Sequence, residues 1–169
     1  MAIPRDHRLG VLESASIFRL QFRNDPKKHI TVLSVVPQES DRFYKELSSR
    51  VATSRGREVL VFIHGFNVSF EDALRRTAQL AYDLAFDGAP IAFTWPARSI
   101  SMPIAALSPV SSAALFASMT EYDAAGENAE LAAFSLREFL NEVRKRSGAT
   151  TIHLIAHSMG SRVLANSPW

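Results

Sequence analysis

The chain contains no cysteine, which excludes a disulfide framework and any thiolate-ligated metal site. It lacks a run of about twenty apolar residues, so no segment is expected to span a bilayer as a helix. The opening Met1-Ala-Ile-Pro-Arg-Asp-His-Arg8 has none of the apolar stretch of a secretory signal. Charge of either sign is scarce in excess: 19 basic against 17 acidic residues leave a formal +2, and the basic residues are scattered. Nucleic acid and membrane surfaces are therefore not expected partners. Low-complexity tracts and internal repeats are also missing. These absences leave the expectation of a cytoplasmic soluble protein. With 47% apolar residues, one domain spanning residues 1–169 has material for a sizeable core.

Two short runs near the start, Ile17–Phe22 and Ile30–Val36, read as strands. Asn24-Asp25-Pro26 between them marks a turn, which predicts a leading antiparallel hairpin. Glu39–Ala52 reads as a helix, with Phe43, Leu47 and Val51 on one face. Val59–Ile63 is apolar throughout and bounded by turn residues, the pattern of a strand covered on both faces. A helix over Phe70–Phe86 follows, with Ser69 as N-cap, Asp72 as its partner three residues on, and Phe70, Ala73, Thr77, Leu80 and Leu84 as its buried face. Ile91–Trp95 is the next strand, halted by Pro96.

Residues 97–120 have no firm period and predict an excursion holding a short helix over Ser112–Met119. The longest helix is expected from Tyr122 to about Lys145, with Ala129, Ala132, Leu136, Phe139 and Val143 turned inward. A strand over Thr151–Ala156 closes the series. Strand–helix alternation after residue 58 is the sequence sign of parallel βαβ units.

That last strand runs straight into Ala156-His157-Ser158-Met159-Gly160, after which a helix begins. A strand, a sharp turn with serine at its tip and a helix are the context of a nucleophile elbow. The turn needs small residues two before and two after the serine, and Ala156 and Gly160 supply them. Ser158 is thus the candidate nucleophile. The strand end His64-Gly65-Phe66-Asn67 is the second loop of interest. Gly65 permits close backbone approach, and the amides of Phe66 and Met159 are the candidate oxyanion donors, since two N–H groups beside a serine stabilise the charge formed on acyl attack. His64 and His157 are read as supporting residues.

The chain resembles an α/β-hydrolase, and specifically the bacterial family labelled "alpha/beta hydrolase of unknown function". The resemblance rests on Val61-Phe-Ile-His-Gly-Phe-Asn-Val-Ser-Phe70, Phe93-Thr-Trp-Pro96, Tyr122-Asp123 and Ile152-His-Leu-Ile-Ala-His-Ser-Met-Gly160. The lead-in Ile3-Pro-Arg-Asp-His-Arg-Leu-Gly10 is similar too. It implies a partial α/β-hydrolase fold and a serine hydrolase acting on small-molecule esters or related acyl compounds, with no cofactor and no metal.

One departure stands out. In this superfamily the acid and the histidine follow the serine along the chain, yet Met159–Trp169 contains neither. The strands that would carry them and flank the elbow strand are also lacking, so the chain reads as truncated. Of the five histidines, none is placed as a general base. His157 neighbours Ser158 and is aimed away by the turn, His153 lies back along the strand, and His7 and His29 sit far upstream. A serine without a base is a weak nucleophile, so low activity is expected.

The blander readings point elsewhere for several residues. Trp95 and Tyr122 read as core or rim, Asp123 as a helix N-terminal charge, and Asn67 as a turn residue. His153 and His157 share a strand face but lie about 13 Å apart, too far for one metal. The competing function is a non-catalytic interaction module on the hydrolase fold. An elbow strand left at a sheet edge would also offer itself to a second copy or to another chain.

Overall fold

The computed structural model describes residues 1–11, 29–97 and 112–168. At its centre lies β1 (Glu58–Ile63), whose residues Val59–Ile63 are all buried. Continuous apolar character lets both faces of this strand be covered, as a parallel sheet requires. β2 (Ala89–Phe93) and β3 (Thr151–Ala156) pair with it on either side, both parallel, giving the order β2-β1-β3. Val61 is the common register point, opposite Ile91 on one side and Leu154 on the other.

Strand alternation sorts the side chains onto two faces. Val59, Val61 and Ile63 enter the main core with Leu47 and Val51 of α1 (Ser40–Thr53) and with Leu136, Leu140 and Val143 of α3 (Ser112–Arg146). Val163 of α4 (Gly160–Ala165) completes that layer. Each fully buried aliphatic side chain here contributes roughly 1.5–3 kcal/mol of transfer free energy. α2 (Phe70–Asp83) packs on the opposite face, where Phe62, Leu80 and Ile155 meet. Its N-terminus is capped as the sequence predicts: Ser69 Oγ accepts from the Asp72 amide at 3.1 Å and donates to the Asp72 carboxylate at 2.6 Å.

The βαβ core matches the sequence expectation closely, and β3 has the predicted bounds. β2 ends at Phe93, two residues short of Trp95. The leading hairpin is a correction, because the strands of the described sheet are all parallel. Ile17–Phe22 falls outside the described residues. Of Ile30–Val36, only Thr31 bridges, antiparallel to Ala2. Leu33, Val35 and Val36 are 62%, 56% and 64% exposed. β-branched residues favour strands by fitting a half-buried pleated surface, and here only Ile30 is buried while residues 33–36 are exposed.

Two helix readings also change. α3 is one helix of 35 residues, so the two expected helices merge and Tyr122-Asp123 lie within it rather than at a start. On α2 the buried residues are Ala73, Arg75, Thr77 and Gln79, while Phe70 and Leu84 are 52% and 59% exposed. Polar side chains are buried there because they are paired. Arg75 bonds Glu71 and Asp72, while Gln79 bonds Arg76 and Asp83. The N-terminal segment docks on the end of this helix, with His7 Nε2 at 2.7 Å and the Gly10 amide at 2.8 Å from the Asp83 carboxylate. Apolar periodicity cannot register a face covered in this way.

Candidate active site

Three parallel strands bring their C-terminal ends to one edge of the sheet, the edge where open α/β folds bind ligands. His64-Gly65 follows β1, Thr94-Trp95 follows β2, and His157-Ser158 follows β3. Ser158 is at the tip of the turn between β3 and α4, exposed, with φ +54°. A left-handed conformation costs a non-glycine residue roughly 1–2 kcal/mol. The turn is held by the His157 amide donating to Ile63 O at 3.0 Å and by the Gly160 and Ser161 amides donating to His157 O and Ser158 O.

Both glycines of the two motifs are demanded by close packing. A Cβ on Gly160 would lie 2.5 Å from Ile63 O and 2.6 Å from His64 O. On Gly65 it would lie 2.8 Å from both His157 O and Ser158 Cβ. The His-Gly loop and the elbow therefore touch through backbone, and only glycine permits it.

His64 locks this arrangement. It is 2% exposed, its Nδ1 lies 2.9 Å from Gly65 O, and its Nε2 lies 3.3 Å from the Trp95 amide. Gly65 O can only accept and the Trp95 N–H can only donate, which assigns the neutral tautomer with its proton on Nδ1. Burial, the larger effect, lowers the imidazole pKa, against a smaller opposing pull from the Gly65 carbonyl. The Trp95 indole N–H donates to His64 O at 2.8 Å, and the two rings stack at 5.7 Å. Both ring nitrogens are occupied, by Gly65 O and the Trp95 amide. Trp95 is 6% exposed and its role extends beyond core packing. The signal for it was its position at a strand end next to the His-Gly loop.

Met159 is 5% exposed, and its amide has no acceptor among the described residues. Phe66 packs half-buried against the core, just before Asn67, which has φ +56°. No hydrogen bond joins the Ser158 hydroxyl to any histidine among the described residues. His157 is exposed, with Nδ1 3.3 Å from where a Gly65 Cβ would stand. His153 faces Glu58 at 3.6 Å, and His7 is held by Asp83 at the far end of α2. Among the described residues, no three His, Asp or Glu side chains converge as metal ligands.

Beside the elbow a cavity of about 460 Å³ runs between α2 and the sheet. Gly65, His64 and His157 border it, Phe62, Val68, Leu80 and Ile155 make it largely apolar, and Asp72 and Arg76 add charged groups. No helix among the described residues is long and apolar enough to cross a membrane.

No curated protein and no solved structure matches the chain. Residues 39–167 match the model of a family described as alpha/beta hydrolase of unknown function (DUF900). The matched span holds the three-stranded parallel sheet, the His-Gly loop and the elbow, and the chain belongs to that alpha/beta hydrolase family.

Proposed function

We propose that the site is that of a serine hydrolase acting on small-molecule esters, with Ser158 as nucleophile and the amides of Phe66 and Met159 as oxyanion donors. The observation carrying this reading is the left-handed Ser158 at the strand–helix turn, packed against Gly65. Ordinary helix capping by serine requires neither the strain nor a second loop brought to backbone contact. In the proposed step Ser158 Oγ attacks the ester carbonyl carbon, its hydroxyl proton passes to a solvent water that later returns a proton to the leaving oxygen, and the carbonyl oxygen takes up negative charge between the two amides. Collapse expels the alcohol and leaves an acyl-serine for water to cleave. The apolar cavity beside Gly65 and His157 has the size range of small-molecule sites and is suited to the acyl group.

No histidine bonds Ser158 among the described residues, so within them solvent is the acceptor of its proton. A serine with no base beside it is mostly protonated and a weak nucleophile. The 169-residue chain should therefore turn over p-nitrophenyl esters slowly, and Ser158→Ala should remove that turnover. Equal turnover by the folded variant would overturn the reading. The same missing base favours the competing reading, a non-catalytic interaction module, which predicts no serine-dependent turnover at all.

A further inference from the structure

We infer that Trp95 is a positioning residue for the proposed hydrolysis, an inference that rests on the Ser158 reading: acting through His64, it aims the Phe66 amide. The link begins with the Gly65–Phe66 peptide. A peptide group is planar and trans, so its C=O and N–H point in opposite directions. Gly65 O lies 2.9 Å from His64 Nδ1. That ring nitrogen fixes the carbonyl and, with it, the direction of the Phe66 N–H. Gly65 abuts Ser158, where an added Cβ would stand 2.8 Å from the Ser158 Cβ. A half-turn of this one peptide would exchange N–H for C=O beside the serine turn, replacing a donor by an acceptor that repels an oxyanion.

His64 can hold Gly65 O only as the tautomer protonated on Nδ1, because a bare ring nitrogen and a carbonyl oxygen are both acceptors. The Trp95 amide selects that form by donating to Nε2 at 3.3 Å. Trp95 then grips the same residue twice more. Its indole N–H donates to His64 O at 2.8 Å, and the two rings stack with centroids 5.7 Å apart. Carbonyl, tautomer and ring plane of His64 are thus all set by one residue. Both side chains are buried, so water competes little for these bonds.

The same carbonyl ties the loop to the other donor. A Cβ on Gly160 would come within 2.6 Å of His64 O, so this carbonyl packs on the first residue of α4. Gly160 directly follows Met159, whose amide is the second oxyanion donor of the proposed site. By holding His64 O, the Trp95 indole therefore fixes the spacing between the two donors as well as the direction of one. A residue serving only to fill this part of the core could be phenylalanine, which packs and stacks without an N–H.

Phosphonylation of the 169-residue chain by a fluorophosphonate separates binding from reaction. Ser158 Oγ attacks phosphorus, the P–F bond breaks, fluoride leaves and the serine proton passes to water, while the phosphoryl oxygen draws on the same two donors. Trp95→Phe should lower the maximal rate, kinact, by about tenfold or more, since misplacement by ~1 Å can cost on the order of 10²-fold. The half-saturating probe concentration should stay where it is. His64→Asn and His64→Gln form a second pair. The first keeps a donor at the Nδ1 position and loses the acceptor for Trp95; the second does the reverse, so kinact should fall further in His64→Gln. Val51→Ala, in the α1 layer of the core, controls for lost stability and should leave kinact unchanged. A rate untouched by Trp95→Phe in folded protein, or lowered as much by Val51→Ala, overturns the inference and leaves the hydrolase reading standing. Should Trp95→Phe fail to fold, the His64 pair decides, and a kinact for His64→Gln no lower than for His64→Asn overturns it. A folded parent chain that takes no adduct on Ser158 overturns the hydrolase reading and this inference together.

Discussion

The space for a Cβ on Gly65 is taken by Ser158, whose own Cβ would stand 2.8 Å away. The His-Gly loop and the strand–helix turn at Ser158 are thus one packed unit, although Gly65 and Ser158 are 93 positions apart. Gly65→Ala should cost about 1–3 kcal/mol through overpacking. Gly160→Ala should cost at least as much, since its Cβ would stand closer still to backbone, 2.5 Å from Ile63 O and 2.6 Å from His64 O. Urea denaturation of the two variants measures both, and unchanged midpoints would contradict the packing.

Ser158→Gly should have the opposite sign. Removing the side chain from a left-handed residue relieves roughly 1 kcal/mol of backbone strain, so the variant should melt higher than the parent while losing serine chemistry. A lower melting temperature would mean that the φ of +54° is not under strain.

The His64–Trp95 lock can be taken apart one bond at a time. Trp95→Phe deletes the indole donor to His64 O and should cost about 1 kcal/mol. His64→Ala removes a buried ring and leaves the Trp95 amide without its acceptor, for about 2–4 kcal/mol. Thermal unfolding followed by circular dichroism distinguishes these from a surface effect near zero.

Acid should destabilise the fold in two stages. Burial holds the His64 pKa below its ordinary 6.5, so the unfolded chain takes up a proton before the native one does. Its contribution is complete above pH 6.5 and declines as the pH falls below that value. Burial alone would raise the Asp83 pKa. The Gly10 amide, His7 and Gln79 outweigh it and hold the carboxyl below its ordinary 3.8. That second contribution is present above pH 3.8 and is lost as the pH falls through the depressed native value. Unfolding midpoints between pH 3 and 8 should show both declines, and His64→Gln should abolish only the first.

The elbow was legible in the sequence because its requirements are local: an apolar strand, a serine, and small residues on either side. β3 was therefore placed to the residue, and the Gly65–Ser158 juxtaposition followed from parallel pairing of two strands whose ends carry the motifs. Periodicity failed where burial is not apolar. Arg75 and Gln79 are buried by pairing, and the N-terminal segment that helps cover α2 arrives from more than 70 residues away. The same limit hid the Trp95 bond to His64 O, a contact between different loops. Ile30–Val36 had the propensity for a strand, but among the described residues only Thr31 bridges, to Ala2.

Ser158 is proposed above as a hydrolase-type nucleophile, and among the described residues no histidine is bonded to it. Phosphonylation by a fluorophosphonate probe, with the adduct mapped by peptide mass spectrometry, tests that assignment most directly. A slow, saturable adduct is expected on Ser158 alone, absent from the folded Ser158→Ala variant. A folded chain that takes no adduct, or takes it on another serine, would contradict it.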